Sequence, residues 1–125
     1  MTLQPITQLE VPPYLIDAEN RRVTVDGKPV QLTSKEFELA WMLFSHVGSV
    51  QSRTQLLAKL WPHAQQWETR TVDTHISRVR RKLDIGEHRG WKLSTRYGFG
   101  YCLERVPMRA RGMAPRGAMV APAAG

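Results

Sequence analysis

The sequence is poor in cysteine and has no long apolar stretch. Its one cysteine, Cys102, cannot form a disulfide within the chain, which suits a reducing compartment. No apolar run approaches the ~18 residues that a membrane helix needs. The N-terminus also lacks the basic and apolar regions of a signal peptide. We therefore expect a cytoplasmic protein with no membrane partner.

Signals for metal or cofactor chemistry are lacking as well. The four histidines show no zinc-finger spacing, and a lone cysteine provides no thiolate cluster. Gly98 and Gly100 are not followed by a predicted helix, so they do not form a phosphate-binding loop. Asp73 is better explained as a first-turn residue stabilised by the helix dipole than as a catalytic acid. We predict no cofactor, no metal and no enzymatic activity.

Positive charge is concentrated in one short stretch. The chain has a formal net charge of +7, yet residues 1–69 carry six basic and seven acidic groups. Residues 70–83 carry five basic groups against one acid, and three further arginines lie beyond residue 106. A localised basic stretch suits an anionic partner such as nucleic acid.

Turn signals place the strands. Residues 1–13 contain three prolines and predict a flexible lead-in. Asp26-Gly27 between alternating runs is a strong signal for a two-residue hairpin, and a turn containing Gly98 separates two further strands. Residues 107–125 are rich in Ala, Pro, Gly, Met and Arg and predict a disordered basic tail. One domain over residues 14–106 follows.

Capping signals place the helices. Thr33 with Glu36, and Ser52 with Gln55, have the spacing of a capping box at a helix N-terminus. A third helix is predicted over residues 70–83. Strands, three helices and a final hairpin are the order of an α+β winged helix-turn-helix with an N-terminal antiparallel sheet.

The third predicted helix has two unlike faces. At 100° per residue, one face gathers four apolar residues within about 60° of one another: Val72, Ile76, Val79 and Leu83. The opposite face carries only small polar groups and arginines: Arg70, Thr74, Ser77, Arg78 and Arg81. A helix in the major groove needs small residues at close approach and long donors for guanine edges or phosphates. The composition of this face therefore indicates a DNA-binding surface, since an ordinary solvent-exposed face usually mixes acidic and basic residues.

The chain resembles the effector domain of OmpR/PhoB response regulators. The resemblance covers residues 14–105. It rests on Leu32–Leu39, on Ser52–Leu57 with Trp61, and on Arg70–Leu83. Thr95, Gly98, Gly100 and Tyr101 match the family's wing. The resemblance implies a recognition helix in the major groove and a wing in the minor groove of double-stranded DNA.

Contacts are implied residue by residue. Thr74 and Arg78 would face base edges. The groups implied near phosphates are Arg70, Thr71, Ser77 and Arg80, with His75 beside them and the indole N–H of Trp61 donating to a phosphate. The helical wheel also turns Arg81 outward. The wing would contribute Thr95, Arg96 and Tyr97.

The wing departs from the family pattern. Tyr97 stands where an arginine often enters the minor groove, and Arg96 stands where the family is usually apolar. Adjacent strand residues point to opposite faces, so both cannot aim at the groove without a rotation at the turn. Because a narrow groove concentrates negative potential, we expect Arg96 to bend round the turn and Tyr97 to pack along the sugar–phosphate edge.

Further implications concern assembly. The resemblance implies binding to direct-repeat half-sites. The protein would be a monomer in solution and a dimer on DNA. Loop 62–69 would contact RNA polymerase. Family members usually carry a receiver domain upstream, which 13 residues cannot form. The chain is therefore either a fragment or a regulator without its own phosphoacceptor. The sequence is also compatible with two other classes: a winged-helix protein-interaction module with little DNA affinity, and an RNA-binding or architectural protein drawn to phosphates.

Overall fold

The computed structural model describes residues 6–108 of the chain. Its N-terminal part is an antiparallel sheet in the order β1-β2-β3-β4, formed by Gln8–Val11, Tyr14–Asp17, Arg22–Val25 and Lys28–Val30. None of the helices within the described range is long and apolar enough to cross a membrane. Residues 109–125, most of the predicted tail, lie outside the described residues.

The first strand corrects a prediction. Gln8–Val11 pairs with Tyr14–Asp17 in register, so the flexible lead-in predicted for residues 1–13 is wrong for these four residues. Leu9 and Val11 alternate with polar residues and pack against the core, which is the pattern of a strand with one buried face. The following prolines lie in the turn between the two strands, where they interrupt no ladder hydrogen bond.

The predicted hairpin between β3 and β4 is confirmed. Asp26 and Gly27 both have positive φ, at 52° and 79°, and Val25 pairs with Lys28 across them. Two central residues with positive φ match a type I′ turn, whose twist suits the flanking strands.

Three helices follow: α1 at Ser34–Ser45, α2 at Arg53–Leu60 and α3 at Arg70–Lys82. Both predicted capping boxes are present, with Thr33 capping α1 and Ser52 capping α2. Between α1 and α2 lies a short strand that the sequence reasoning missed, β5 at Val50–Ser52.

The second sheet contains the wing. A 3₁₀ turn at Glu87–Arg89 leads into β6 at Trp91–Arg96 and β7 at Gly100–Arg105, and the antiparallel order is β5-β7-β6. At Gly100 the strands come unusually close. A Cβ placed on Gly100 would lie 2.1 Å from the carbonyl oxygen of Gln51. Only glycine allows β5 to pair at this point.

One core joins both sheets to the helices. Three aromatic rings meet in it, with centroids 5.1 Å apart for Tyr14 and Phe44 and 5.3 Å apart for Phe44 and Trp91. The Tyr14 hydroxyl donates to the carbonyl of Leu83 at 3.0 Å, just after α3. The Trp91 indole donates to the carbonyl of Pro12 at 3.0 Å. The N-terminal sheet thereby fixes the C-terminal end of α3 and the start of the wing.

Candidate nucleic-acid interface

The two faces predicted for α3 are present. Val72, Ile76 and Val79 are at most 1% exposed, and Leu83 just beyond the helix is fully buried. The opposite face is exposed along the whole helix, as predicted, at Arg70, Thr74, Ser77, Arg78 and Arg81. Burial of the apolar stripe therefore leaves the basic face in solvent.

Two arginines in the middle and at the C-terminal part of that face, Arg78 and Arg81, have no acidic partner among the described residues. By contrast, Arg53, Lys82 and Arg96 each pair with a carboxylate. The guanidinium groups of Arg78 and Arg81 are thus available to an anionic ligand.

A buried carboxylate anchors the C-terminal turn of α3. Glu36 in α1 is 2% exposed, and its Oε1 accepts from Lys82 Nζ at 2.7 Å and from the Thr33 backbone N–H at 2.9 Å. Burial alone would raise the pKa of Glu36, but the hydrogen bonds from Lys82 and Thr33 outweigh it and hold the pKa below its ordinary value. The capping box of α1 therefore also positions α3.

A second carboxylate joins the start of α3 to α2 and to the wing. Asp73 Oδ1 accepts from Arg53 Nε at 2.9 Å and from the Tyr101 hydroxyl at 2.6 Å. Arg53 Nη1 also donates to the carbonyl of Gly98 at 3.2 Å, at the tip of the wing. Asp73 does lie in the first turn of α3, as predicted, but it also connects three elements.

The electrostatics of this network follow from its hydrogen bonds. The bond from Arg53 is the main cause that lowers the pKa of Asp73, and Tyr101 adds to it. Burial, and then the bond to Asp73, raise the pKa of the Tyr101 hydroxyl to about 12. At neutral pH the network therefore consists of a charged Asp73, a charged Arg53 and a protonated Tyr101.

Asp73→Asn tests this network. Because the pKa of Asp73 is lowered in the folded state, its charge stabilises the fold above the unfolded pKa of about 3.9. That stabilisation is lost as the pH falls through the folded pKa. We expect the variant to lose about 1–2 kcal/mol of unfolding free energy at neutral pH, from weakened charge-assisted hydrogen bonds. Urea unfolding at neutral and acid pH should show this difference shrinking in acid; a constant difference would contradict the assignment.

Four predicted contact residues lie half-buried along the edges of the α3 face: Trp61, Thr71, His75 and Arg80. His75 Nδ1 lies 2.8 Å from the Thr71 carbonyl, and the Trp61 ring packs edge-on against His75 with centroids 4.8 Å apart. Arg80 Nη2 donates to the carbonyl of Leu93 at 2.6 Å, which ties the helix to β6. The side chains of Trp61, His75 and Arg80 are thus positioned by contacts within the protein.

The wing differs from its prediction. Arg96 does not bend round the turn, because its guanidinium lies 2.5 Å from a Glu104 carboxylate oxygen and its Nε is 3.4 Å from the Ser94 hydroxyl. The strand register places Arg96, Ser94 and Glu104 on one face of the hairpin. The nearby carboxylate holds the arginine there, and the hydrogen bond that Arg96 donates to Glu104 raises the pKa of Arg96.

Tyr97 occupies the tip instead. It is 89% exposed and has φ of +59°, followed by Gly98 at +62°. The Phe99 N–H donates to the Arg96 carbonyl at 2.9 Å and closes a turn of the type I′ kind. Thr95 is also exposed, one residue before Arg96.

Sequence reasoning missed three residues of this surface: Arg53, Phe99 and Glu104. A signal existed for Arg53, because a positive charge at the first position of a helix opposes the helix dipole and implies a specific partner. Nothing local marked Glu104 as the partner of Arg96, since they meet only through the hairpin register.

The fold and this surface define a winged helix-turn-helix protein, in which α2 and α3 form the helix-turn-helix and β6 with β7 form the wing. Residues 27–103 match the family model described as "Transcriptional regulatory protein, C terminal". The chain belongs to this family, the OmpR/PhoB type of response-regulator DNA-binding domains. The resemblance inferred from the sequence is thereby confirmed.

Individual relatives agree with this placement. The response regulator SaeR of Staphylococcus aureus is 36% identical over 102 residues, which cover 82% of this chain and 45% of SaeR. The chain thus spans less than half the length of the curated relatives it matches.

Solved structures show the same fold. The DNA-binding domain of Klebsiella pneumoniae RstA, in complex with the RstA box, superposes with a TM-score of 0.69 at 29% identity, over 79% of this chain and 98% of that domain. DrrB, an OmpR/PhoB homologue of Thermotoga maritima, also superposes with a TM-score of 0.69, at 31% identity, over 78% of this chain and 44% of DrrB.

Proposed function

We propose that this chain regulates transcription in the cytoplasm by binding a specific sequence in double-stranded DNA. The exposed face of α3 carries the proposal: it combines three arginines with Thr74 and Ser77, and neither Arg78 nor Arg81 has an acidic partner in the described part of the chain. Small residues permit close approach to the groove, and guanidinium groups read guanine edges or bind phosphates.

In the proposed complex α3 lies in the major groove, with Thr74 and Arg78 toward base edges. Six residues lie along the phosphates: Trp61, Arg70, Thr71, His75, Ser77 and Arg80. Arg80 uses one N–H donor for the Leu93 carbonyl, but a guanidinium has five, so the remaining donors can face the DNA phosphates. Arg81 adds charge beside them, and the wing at residues 95–98 contacts the minor groove.

Assembly forms part of the same proposal. We propose that the domain is a monomer in solution and pairs on direct-repeat half-sites about one helical turn apart. Loop 62–69 would meet RNA polymerase. Trp67 in that loop is 78% exposed, and an exposed tryptophan suits a partner-binding surface.

The salt dependence of binding tests the proposal. If Arg70, Arg80 and the neighbouring groups of this surface together contact roughly 4–8 phosphates per protomer, the logarithm of the binding constant should fall against the logarithm of salt concentration with a slope of about −4 to −7. Fluorescence anisotropy with a labelled duplex over a range of salt concentrations measures this slope.

Competitors distinguish the proposal from the two other classes. For a sequence-specific regulator, unlabelled preferred duplex competes with the labelled duplex far better than random duplex or single strands do. Equal competition by all three would indicate a protein drawn only to phosphates. A flat salt response with weak binding to every nucleic acid would indicate a protein-interaction module.

A further inference from the structure

The tip of the wing presents two exposed aromatic side chains. Tyr97 is 89% exposed and Phe99 is 57% exposed, on either side of Gly98. Neither ring belongs to the hydrophobic core formed by the described residues. They form a small apolar edge next to the basic face of α3.

The tip is fixed relative to the recognition helix. Arg53 holds it from two sides, since its backbone N–H donates to the Phe99 carbonyl at 3.1 Å and its guanidinium donates to the Gly98 carbonyl at 3.2 Å. The same guanidinium holds Asp73 on α3. A ligand seated on α3 therefore meets the tip at a defined position.

Among the described residues, the tip itself, Tyr97 to Phe99, carries no cation. Arg96, the nearest arginine along the strand, is held by Glu104 on the face of the hairpin. Narrow A-tract minor grooves attract inserted arginines through their concentrated negative potential, and this tip offers none. Aromatic and other apolar side chains act differently, because they wedge into base steps that unstack easily.

We propose that the wing selects deformable pyrimidine–purine steps beside the α3 contacts, with Tyr97 wedged against such a step from the minor groove and Phe99 covering the sugar edge. TA and CA/TG steps unstack most readily, so they are the base steps into which an aromatic side chain at this tip fits. This inference rests on the proposed function and names the class of DNA that the wing selects.

The experiment uses one core duplex with three flanks at the wing position: a TA-containing flank, an A-tract and a G·C flank. The full chain should bind the TA flank most tightly. Tyr97→Ala, which removes the ring, should lose about tenfold in affinity on the TA flank alone, of the order that a base–aromatic contact contributes. Tyr97→Phe, which keeps the ring, should keep the preference for the TA flank. Tyr97→Arg should shift the preference to the A-tract.

A second readout reports the step itself. With 2-aminopurine in the TA step, the unchanged chain should raise the fluorescence by unstacking, and Tyr97→Ala should not. Three results would overturn this inference alone. They are equal affinity of the unchanged chain for all three flanks, a preference of the unchanged chain for the A-tract, and binding of the TA flank by Tyr97→Ala as tightly as by the unchanged chain. A chain that binds no duplex at all would overturn the proposed function and this inference with it.

Discussion

Replacing Arg78 with alanine should weaken binding to the preferred duplex by about 5- to 150-fold, the 1–3 kcal/mol that a bidentate guanine contact contributes. Arg78 lies in the middle of the exposed face of α3 and makes no ion pair within residues 6–108. Its removal should therefore leave the fold intact. The loss should fall on the preferred sequence, with discrimination relaxed at one base pair.

Arg81→Ala is the matched control. Arg81 is also exposed and makes no ion pair within the same residues, but we expect it to contribute charge and no base contact. Its replacement should weaken preferred and random duplexes alike and make the salt slope shallower by about one. Equal losses on both duplexes for Arg78→Ala would refute the role assigned to Arg78.

Gly100→Ala should have the largest effect on the fold. The added Cβ would lie 2.1 Å from the Gln51 carbonyl oxygen and 2.8 Å from the Cα of Ser52, and both are backbone atoms that cannot rotate away. Strand β5 must then separate from β7, which also displaces the N-cap of α2. We expect a loss of about 3 kcal/mol or more in unfolding free energy, at the upper end of the cost of overpacking.

Gly98→Ala separates crowding from backbone strain. Gly98 has φ of +62°, and a Cβ added there would meet nothing within 4 Å, so alanine should cost only the left-handed strain of about 1–2 kcal/mol. Cys102, which is 1% exposed and pairs with Val50 of β5, provides a direct readout. Its thiol should react faster in Gly100→Ala than in Gly98→Ala; equal stability and equal reactivity in the two variants would contradict the role of Gly100.

Features determined by local sequence were predictable. The capping boxes at Thr33 and Ser52 and the turn at Asp26-Gly27 depend on residues a few positions apart, and each is present. The burial of Val72, Ile76 and Val79 follows from helical periodicity alone. The exposed face of α3, which carries most of the candidate site, was therefore accessible from the sequence.

Features determined by pairing between distant segments were not. β5 has three residues and exists because Gly100 allows Gln51 to approach β7. β1 forms through its register with β2, although prolines follow it directly. In both cases the strand is stabilised by a neighbour that the local pattern does not reveal.

The wing shows the same limit within the site. Sequence spacing indicated which residues lie near the turn but not that Glu104 would hold Arg96, eight positions away. The link between Arg53 and Asp73 spans twenty positions and joins two helices. Such ion pairs depend on the assembled fold, and they decide which side chains remain available to a ligand.

Selection of binding sites from random duplex DNA tests most directly whether α3 reads a sequence. We expect enrichment of one short core, occurring as two copies in the same orientation about one helical turn apart. The selected duplex should compete about 10³-fold better than random duplex at fixed salt concentration. A selected pool that shares no sequence and competes no better than random DNA would contradict sequence reading by α3.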